Sequence, residues 1–307
     1  MSLALNVQGL CKTYDAKKLT RALEHFSLEL PAGSFFGLLG RNGAGKSTFI
    51  NILAGTTVKT AGKISVFGYD LESQRISCCY QLGIVPQELV VDPFFTVEET
   101  LDIHAGYYGI SKTRNKTSEI IEVLGLSKQR KVLGRNLSGG MKRRLLIGKA
   151  MVHSPKLLIL DEPTAGVDVD LRMQLWRYVK EINRQGTTIL LTTHYLEEAQ
   201  ELCDRIAIMH AGKVIACDLK ENLLKLCSVK YMHITATGDL KSALPKLSNI
   251  CNANISEDDK LILEYDPAKI NAGYIIQLLH DSGLNVLDIS TKEPVLEDIF
   301  LSLVNSA

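Results

Sequence analysis

The chain has 307 residues, of which 46% are hydrophobic and 22% are charged. At about 100–200 residues per domain, this length predicts two domains, or a large one and a small one. The balanced composition excludes general disorder and the fibrous classes. A formal net charge of +1 does not indicate a nucleic-acid-binding protein, so no nucleic-acid partner is expected.

The charge is unevenly distributed. Residues 229–307 contain six lysines, no arginine and eleven acidic residues, a balance of −5, so residues 1–228 carry +6. No stretch approaches the ~20 nearly continuous apolar residues of a membrane-spanning helix, and the first residues lack the features of a signal peptide. We therefore expect a cytoplasmic protein, in which the seven cysteines are reduced thiols.

Short apolar runs alternate with helical patterns over the first 220 residues, which predicts an α/β fold with a mixed sheet. In chain order, strands are predicted at 3–10, 34–39, 63–70, 83–85, 156–160 and 188–192. Helices are predicted from a glycine-rich loop to about residue 53, at 96–108 with Thr96 as N-cap, at 118–124, from about 138 to before 155, and at 168–183. Residues 88–155 are thus mostly helical and predict a helical subdomain.

The pattern changes after about residue 222. Strands are predicted at 229–237, 261–265 and 285–290, and helices at 268–280 and 295–303. We therefore expect a first domain over 1–222 and a small α+β accessory domain over 229–307.

A glycine-rich loop lies between a predicted strand and a predicted helix and fits G-x-x-x-x-G-K-[ST]. Such loops direct backbone N–H groups at phosphate oxygens, while the lysine neutralises β/γ-phosphate charge and the hydroxyl faces Mg²⁺. The alternative is a glycine-rich turn that merely opens a helix. The residues expected to bind the nucleotide here are Gly40, Arg41, Asn42, Gly43, Ala44, Gly45, Lys46, Ser47 and Thr48.

A second motif is an apolar strand that ends in two carboxylates, Asp161 and Glu162. Ligands of α/β proteins bind at the carboxyl ends of strands. Asp161 is expected to hold Mg²⁺ through a coordinated water, and Glu162 to orient and deprotonate the water that attacks the γ-phosphate. The alternative is an acidic loop after a buried strand.

With these two motifs, the stretch Asn136–Met141 makes the chain similar to the ATP-binding subunits of ABC transporters. It carries the family's LSGG signature in Ser138, Gly139 and Gly140. Gln87, Asp168 and His194 match further family motifs in order and in spacing. The resemblance covers about residues 3–215 and implies a P-loop NTPase of the ABC ATPase type. It also implies ATP and Mg²⁺ as ligands.

The resemblance assigns roles to further residues. Gln87 would sense Mg²⁺ and the attacking water, and His194 would contact the γ-phosphate. Asp168, which follows the acidic strand, would bind the nucleotide. Tyr14 would stack on adenine, although it could also be a core residue. Considered alone, His194 would usually be a structural residue and Gln87 a surface residue. The family also pairs two chains head to tail, so that each ATP lies between one phosphate loop and the opposing signature.

Where the signature usually continues with glutamine, this chain has Met141, followed by Lys142, Arg143 and Arg144. This ending resembles the ABC-2-type branch, in which ATPase and permease are separate chains. Residues 293–300 resemble the closing segment of drug, lipid and polysaccharide exporters in that branch, although an amphipathic helix explains the same pattern. The implied protein is peripheral on the inner membrane face and drives export through a permease. A groove in the helical region after Gln87 is expected to receive the permease, with residues 92–100 as its floor.

Two rival interpretations stay open at this point. One is an ABC-type ATPase that acts on ribosomes or DNA, and the other is a cytosolic partner in cofactor assembly. The first rival usually carries two ATPase cores or a long coiled coil, whereas this sequence has one phosphate loop and no sustained heptads.

Overall fold

The computed structural model divides into two compact units, one up to Leu219 and the other over Lys220–Ser306. Within the described part of the chain, no helix is both long and apolar enough to cross a membrane. The described residues are 2–14, 21–167, 169–226, 230–256, 260–266, 269–292 and 295–306.

The first unit is built on a six-stranded sheet with the order β10-β9-β3-β8-β7-β6. Five of its strands are parallel, and β10 pairs antiparallel with β9 at one edge, so the predicted mixed sheet is confirmed. Every residue of the central strands β3, β7 and β8 is buried, as expected for parallel strands covered on both faces. The strands are β3 Phe35–Leu39, β6 Leu82–Val85, β7 Leu157–Asp161, β8 Thr188–Thr193, β9 Arg205–His210 and β10 Lys213–Leu219.

A second, antiparallel sheet has the order β2-β1-β4-β5. Its strands are β1 Leu3–Thr13, β2 Arg21–Pro31, β4 Ala61–Val66 and β5 Tyr69–Asp70. The predicted single strand over 63–70 is in fact a hairpin, because Phe67 and Gly68 turn the chain with φ of 47° and 85°. Apolar side chains of this sheet share a core with helix α1, Lys46–Ala54.

The predicted helical subdomain contains α3 Val97–Tyr107, α4 Thr117–Val123 and α5 Gly139–Met151. Thr96 caps α3 as predicted, in a capping box with Glu99. The remaining helices of this unit are α2 Arg75–Gln81, α6 Val169–Arg184 and α7 Leu196–Leu202.

The second unit begins with α8, Lys220–Leu226, and then follows the order β-α-β-β-α-β. Its four-stranded antiparallel sheet has the order β12-β13-β11-β14, which is the ferredoxin-like arrangement. Helices α9 and α10 pack against the sheet through one apolar cluster. The elements are β11 Lys230–Thr237, α9 Leu240–Ser248, β12 Asn252–Ile255, β13 Leu261–Tyr265, α10 Ala272–Asp281, β14 Asn285–Lys292 and α11 Leu296–Ser306.

Several of these elements were not predicted from the sequence: β2, α2, α7, β9, β10, α8, α9 and β12. The predicted start of a helix at 268 and the first two residues of the closing segment, 293 and 294, lie outside the described residues.

Candidate active site

The glycine-rich loop joins β3 to α1, and its conformation explains two of its glycines. Gly43 and Gly45 have φ of 83° and 107°, a region that side chains disfavour. At Gly45 a Cβ would also lie 2.5 Å from the carbonyl oxygen of Ala22, and at Gly40 it would lie 2.7 Å from that of Met209. The loop is therefore held against β2 and β9, with the first turn of α1 directly behind it.

Lys46 is the first residue of α1 and is only 5% exposed. Its Nζ donates to the carbonyl oxygen of Gly40 at 2.6 Å and lies 3.8 Å from Oε1 of Glu162. Burial lowers the pKa of Lys46, and the nearby carboxylates of Glu162 and Asp161 oppose that shift. The side chain thus forms a buried cation between the loop and the acidic strand.

Asp161 ends β7 and is 7% exposed. Its Oδ1 accepts a hydrogen bond from the Thr192 hydroxyl at 2.5 Å. Burial raises the pKa of Asp161, whereas the bond from Thr192 and the charges of Lys46 and Arg143 lower it. The carboxylate therefore has positive and hydrogen-bonding groups close to it, although it lies in the interior.

Glu162 has a φ of 45°, an uncommon conformation for a residue with a side chain. Its backbone N–H donates to the carbonyl oxygen of Thr192, which pins the turn to β8. Oε2 accepts from Nε2 of Gln87, and Oε1 lies 3.1 Å from Nδ1 of His194. The structure thus brings Gln87, His194 and Lys46 together around one carboxylate.

Lys46, Gln87 and Glu162 line a cleft of about 400 Å³ at the glycine-rich loop. Tyr14 is 55% exposed, which argues against the core alternative for this residue, and its hydroxyl lies 3.3 Å from that of Thr48. The lining residues of the cleft are Ala22, Arg41, Asn42, Gly43, Ala44, Gly45, Lys46, Ser47, Thr48, Gln87 and Glu162.

The signature segment is at a helix N-terminus, as predicted. Ser138 is the N-cap of α5, and its hydroxyl accepts from the N–H of Met141 at 3.3 Å. Ser138 and Gly139 are exposed and Gly140 is partly exposed, and none of the three lines the described cleft. The N–H groups at the start of a 13-residue helix are thus available to an anion supplied from outside.

Sequence reasoning missed two residues of this site. The Thr192 hydroxyl, near the end of β8, fixes Asp161. Arg143 is 2% exposed, and its Nη1 donates to the carbonyl oxygen of Pro86 at 2.9 Å, which ties α5 to the residue before Gln87. Arg143 lies in the basic run Lys142–Arg144, so the neighbouring sequence gave no signal for this buried contact. The predicted Asp168 lies outside the described residues.

The donors fit a magnesium ion better than a metal held by protein ligands alone. Among the described residues, no group of three or more His, Cys, Asp or Glu side chains could hold a metal. Mg²⁺ usually takes one or two carboxylates together with substrate phosphates and waters. One carboxylate, Asp161, and one hydroxyl, Ser47, beside a phosphate-binding loop agree with that requirement.

A family model described as ABC transporter matches residues 23–165. The linearmycin resistance ATP-binding protein LnrL of Bacillus subtilis is 35% identical, covering 97% of this chain and 97% of its own length. The Nod factor export ATP-binding protein I of Rhizobium etli is also 35% identical, covering 98% of this chain and 93% of its own.

Solved structures give the same result. The ATP-binding subunit of an ABC transporter matches with a TM-score of 0.65 and 30% identity, over 73% of this chain and 92% of its own. A dimeric cassette in a post-hydrolysis state, bound to ADP and Pi, matches with a TM-score of 0.64 and 23% identity, over 70% of this chain and 98% of its own; this match shows the fold alone. With the cleft and its carboxylates, these matches place the chain in the family of ATP-binding subunits of ABC transporters, and it is an ATPase.

Proposed function

We propose that this chain hydrolyses Mg-ATP with Glu162 as general base and so drives export by a separately encoded ABC-2-type permease. The observation that carries the hydrolytic part is the Glu162 carboxylate, which lies within 4 Å of Gln87, His194 and Lys46 beside the glycine-rich loop. A general base must lie within hydrogen-bond reach of the water that it deprotonates. The exposed end of the cleft at Gln87 is where such a water would enter.

The residues around the cleft then have distinct roles. Backbone N–H groups of residues 40–48 cradle the phosphates, and Lys46 neutralises charge on the β- and γ-phosphates. Ser47, Gln87 and Asp161 would hold Mg²⁺, which supplies further charge stabilisation when bound. His194 positions the γ-phosphate, and Tyr14 stacks on adenine. Asp168 is proposed as a nucleotide contact from its place in the sequence alone.

A second copy of the chain completes the site in this proposal. The exposed signature offers N–H groups at a helix N-terminus but does not line its own cleft. A head-to-tail partner would bring Ser138, Gly139 and Gly140 to the γ-phosphate. ATP binding would then close the dimer, and hydrolysis would open it.

The permease is proposed to dock in a second cavity, of about 380 Å³, beside the helical subdomain. Sequence reasoning expected residues 92–100 as the floor of this groove, but none of them lines the cavity. Val90 at its mouth is 66% exposed, and the nearby Phe94 is 74% exposed. The residues that line this cavity are mostly apolar: Leu53, Ala54, Cys79, Leu82, Gly83, Ile84, Pro86, Val90, His104, Tyr108, Leu146, Lys149 and Ala150.

The ABC-2 type is supported by the Met141–Arg144 ending of the signature. Export is supported by the names of the relatives from Bacillus subtilis and Rhizobium etli, a resistance protein and an export protein. The chain would then be peripheral on the inner face of the membrane. Exposed apolar side chains beside a cavity are typical of an interaction site.

Affinity purification from the native membrane tests the partner. We expect a multi-span membrane protein to co-purify with the parent and with Val58→Asp, whose valine is 78% exposed and does not line the cavity. Val90→Asp should lose that protein while keeping the parent's circular dichroism spectrum. Recovery of ribosomes or DNA in place of a membrane protein would support the rival interpretation and contradict ours.

A further inference from the structure

Glu198 on α7 is a buried carboxylate, and none of the roles proposed above involves it. Only 1% of the residue is exposed. Its Oε1 accepts from the Thr164 hydroxyl and from the indole N–H of Trp176, both at 3.0 Å. Both hydrogen bonds end on Oε1, and no described residue donates to Oε2. Burial of a carboxylate is unfavourable unless hydrogen bonds offset it, so a carboxylate held in the interior by two side-chain donors calls for an explanation.

The hydrogen bonds link segments on both sides of the proposed chemistry. Thr164 is two residues after Glu162, and Glu198 itself lies on α7, which begins two residues after His194. Trp176 lies on α6, the helix that follows the loop after Glu162. One carboxylate therefore joins the loop after the proposed base, helix α6, and helix α7, which directly follows the proposed phosphate contact.

We propose that Glu198 is a positioning residue for ATP hydrolysis, which holds the loop after Glu162 against α7, the helix that follows His194. In this arrangement Glu162 and His194 stay 3.1 Å apart, while neither of them touches Glu198 in a described contact. Loss of the link would let the loop move relative to α7 and His194, and a displacement of about 1 Å can cost up to about 100-fold in rate. The inference rests on the proposed roles of Glu162 and His194.

A purely structural role makes a different prediction. A residue that only stabilises the fold would, when changed, lower the melting temperature and reduce nucleotide binding and turnover together. A positioning residue instead lowers kcat while the KM for ATP changes little, because the phosphate-binding loop belongs to other elements.

The test compares Glu198→Leu with Glu197→Leu, a matched change at a neighbouring glutamate whose side chain is 81% exposed. We expect kcat of Glu198→Leu to fall about tenfold or more, with KM within about threefold of the parent. Glu198→Gln keeps an oxygen that accepts from Thr164 and Trp176, so it should restore kcat to within about threefold. Glu197→Leu should match the parent.

Trp176 gives an independent readout because it is the single tryptophan of the chain. Its emission should shift in Glu198→Leu, where the indole N–H loses its acceptor, and stay unchanged in Glu197→Leu. If Glu198→Leu does not fold, Thr164→Val removes one donor at nearly constant volume and should show the same selective loss of kcat.

The proposal is overturned if folded Glu198→Leu retains the parent's kcat, if kcat and ATP affinity fall together, or if Trp176 emission does not change. Failure of the proposed function would look different. In that case Glu162→Gln would hydrolyse ATP as fast as the parent, whatever Glu198→Leu does.

Discussion

At the scale of single residues, the site depends on charged groups that are buried together. Lys46, Asp161 and Glu162 are each at most 7% exposed. Sequence motifs identified these residues because their chemistry depends on local spacing along the chain. The motifs could not identify Thr192, Arg143 or Glu198, whose contacts join residues distant in sequence and depend on how strands and helices pack.

Lys46→Met should strongly weaken ATP binding while the fold is retained. The change removes a buried ammonium, and truncation of one member of a buried charge pair costs about 2–5 kcal/mol, so affinity should fall about 30-fold or more. Methionine matches the length of lysine, and the Glu162 carboxylate keeps its hydrogen bond from Gln87, so the fold should be retained. Titration with a fluorescent ATP analogue measures the effect. Lys128→Met, at an exposed lysine, is the control, and normal ATP affinity of Lys46→Met would contradict the assignment.

Gly45→Ala should disrupt the loop more than Gly43→Ala does. Both positions have positive φ, which costs about 1–2 kcal/mol for a residue with a side chain. Only at Gly45 would the new Cβ meet a backbone oxygen, whereas nothing lies within 4 Å of the Cβ position at Gly43. Thermal unfolding and ATP binding of both variants measure the difference. Equal effects would show that close packing against Ala22 does not shape the loop.

At the scale of elements, the sequence predicted those with strong local signals. Apolar runs identified β3, β7 and β8, the N-cap Thr96 identified the start of α3, and α5 begins at the signature as predicted. Strand β2 was missed although its burial alternates along much of its length. Helix α9 was missed because Pro245 lies inside it, and proline usually ends a helix. The hairpin at Phe67–Gly68 required a positive φ at Phe67, which the sequence does not suggest.

Thr96→Ala should destabilise the helical subdomain by about 1 kcal/mol, the usual cost of a lost N-cap. The Thr96 hydroxyl accepts from the N–H of Glu99, and the Glu99 carboxylate accepts in return from the N–H of Thr96. Thermal unfolding of Thr96→Ala and Thr96→Ser measures the loss. Serine keeps the cap and should behave like the parent; an equal loss in both variants would contradict the capping role.

Glu98 should make stability depend on pH. Hydrogen bonds from Arg130 and Lys131 lower the pKa of Glu98 to about 2. Because the folded pKa lies below the unfolded value, the stabilisation is complete above about pH 4.5 and is lost as the pH falls towards 2. The difference in melting temperature between the parent and Glu98→Gln should therefore shrink over that range. Glu122→Gln, at an exposed glutamate, is the control, and a difference that is constant with pH would contradict the pairing.

At the scale of the whole molecule, the sequence predicted the P-loop ATPase fold, and the family matches confirm it. It did not predict the ferredoxin-like topology of the second unit, because strand order depends on long-range pairing that short apolar runs do not specify. The exposed signature explains why a single chain has only part of the proposed site: its helix N-terminus lies away from the residues that line the cleft.

The central claim is that ATP joins two chains through composite sites. The most direct test is the solution mass of purified Glu162→Gln, measured by light scattering with and without Mg-ATP. We predict a monomer without nucleotide and a dimer with Mg-ATP, because the variant binds ATP but cannot hydrolyse it. The further change Ser138→Arg should prevent the dimer without loss of ATP binding, since Ser138 lies outside the cleft. A Glu162→Gln protein that binds Mg-ATP and stays monomeric at every concentration would contradict the account.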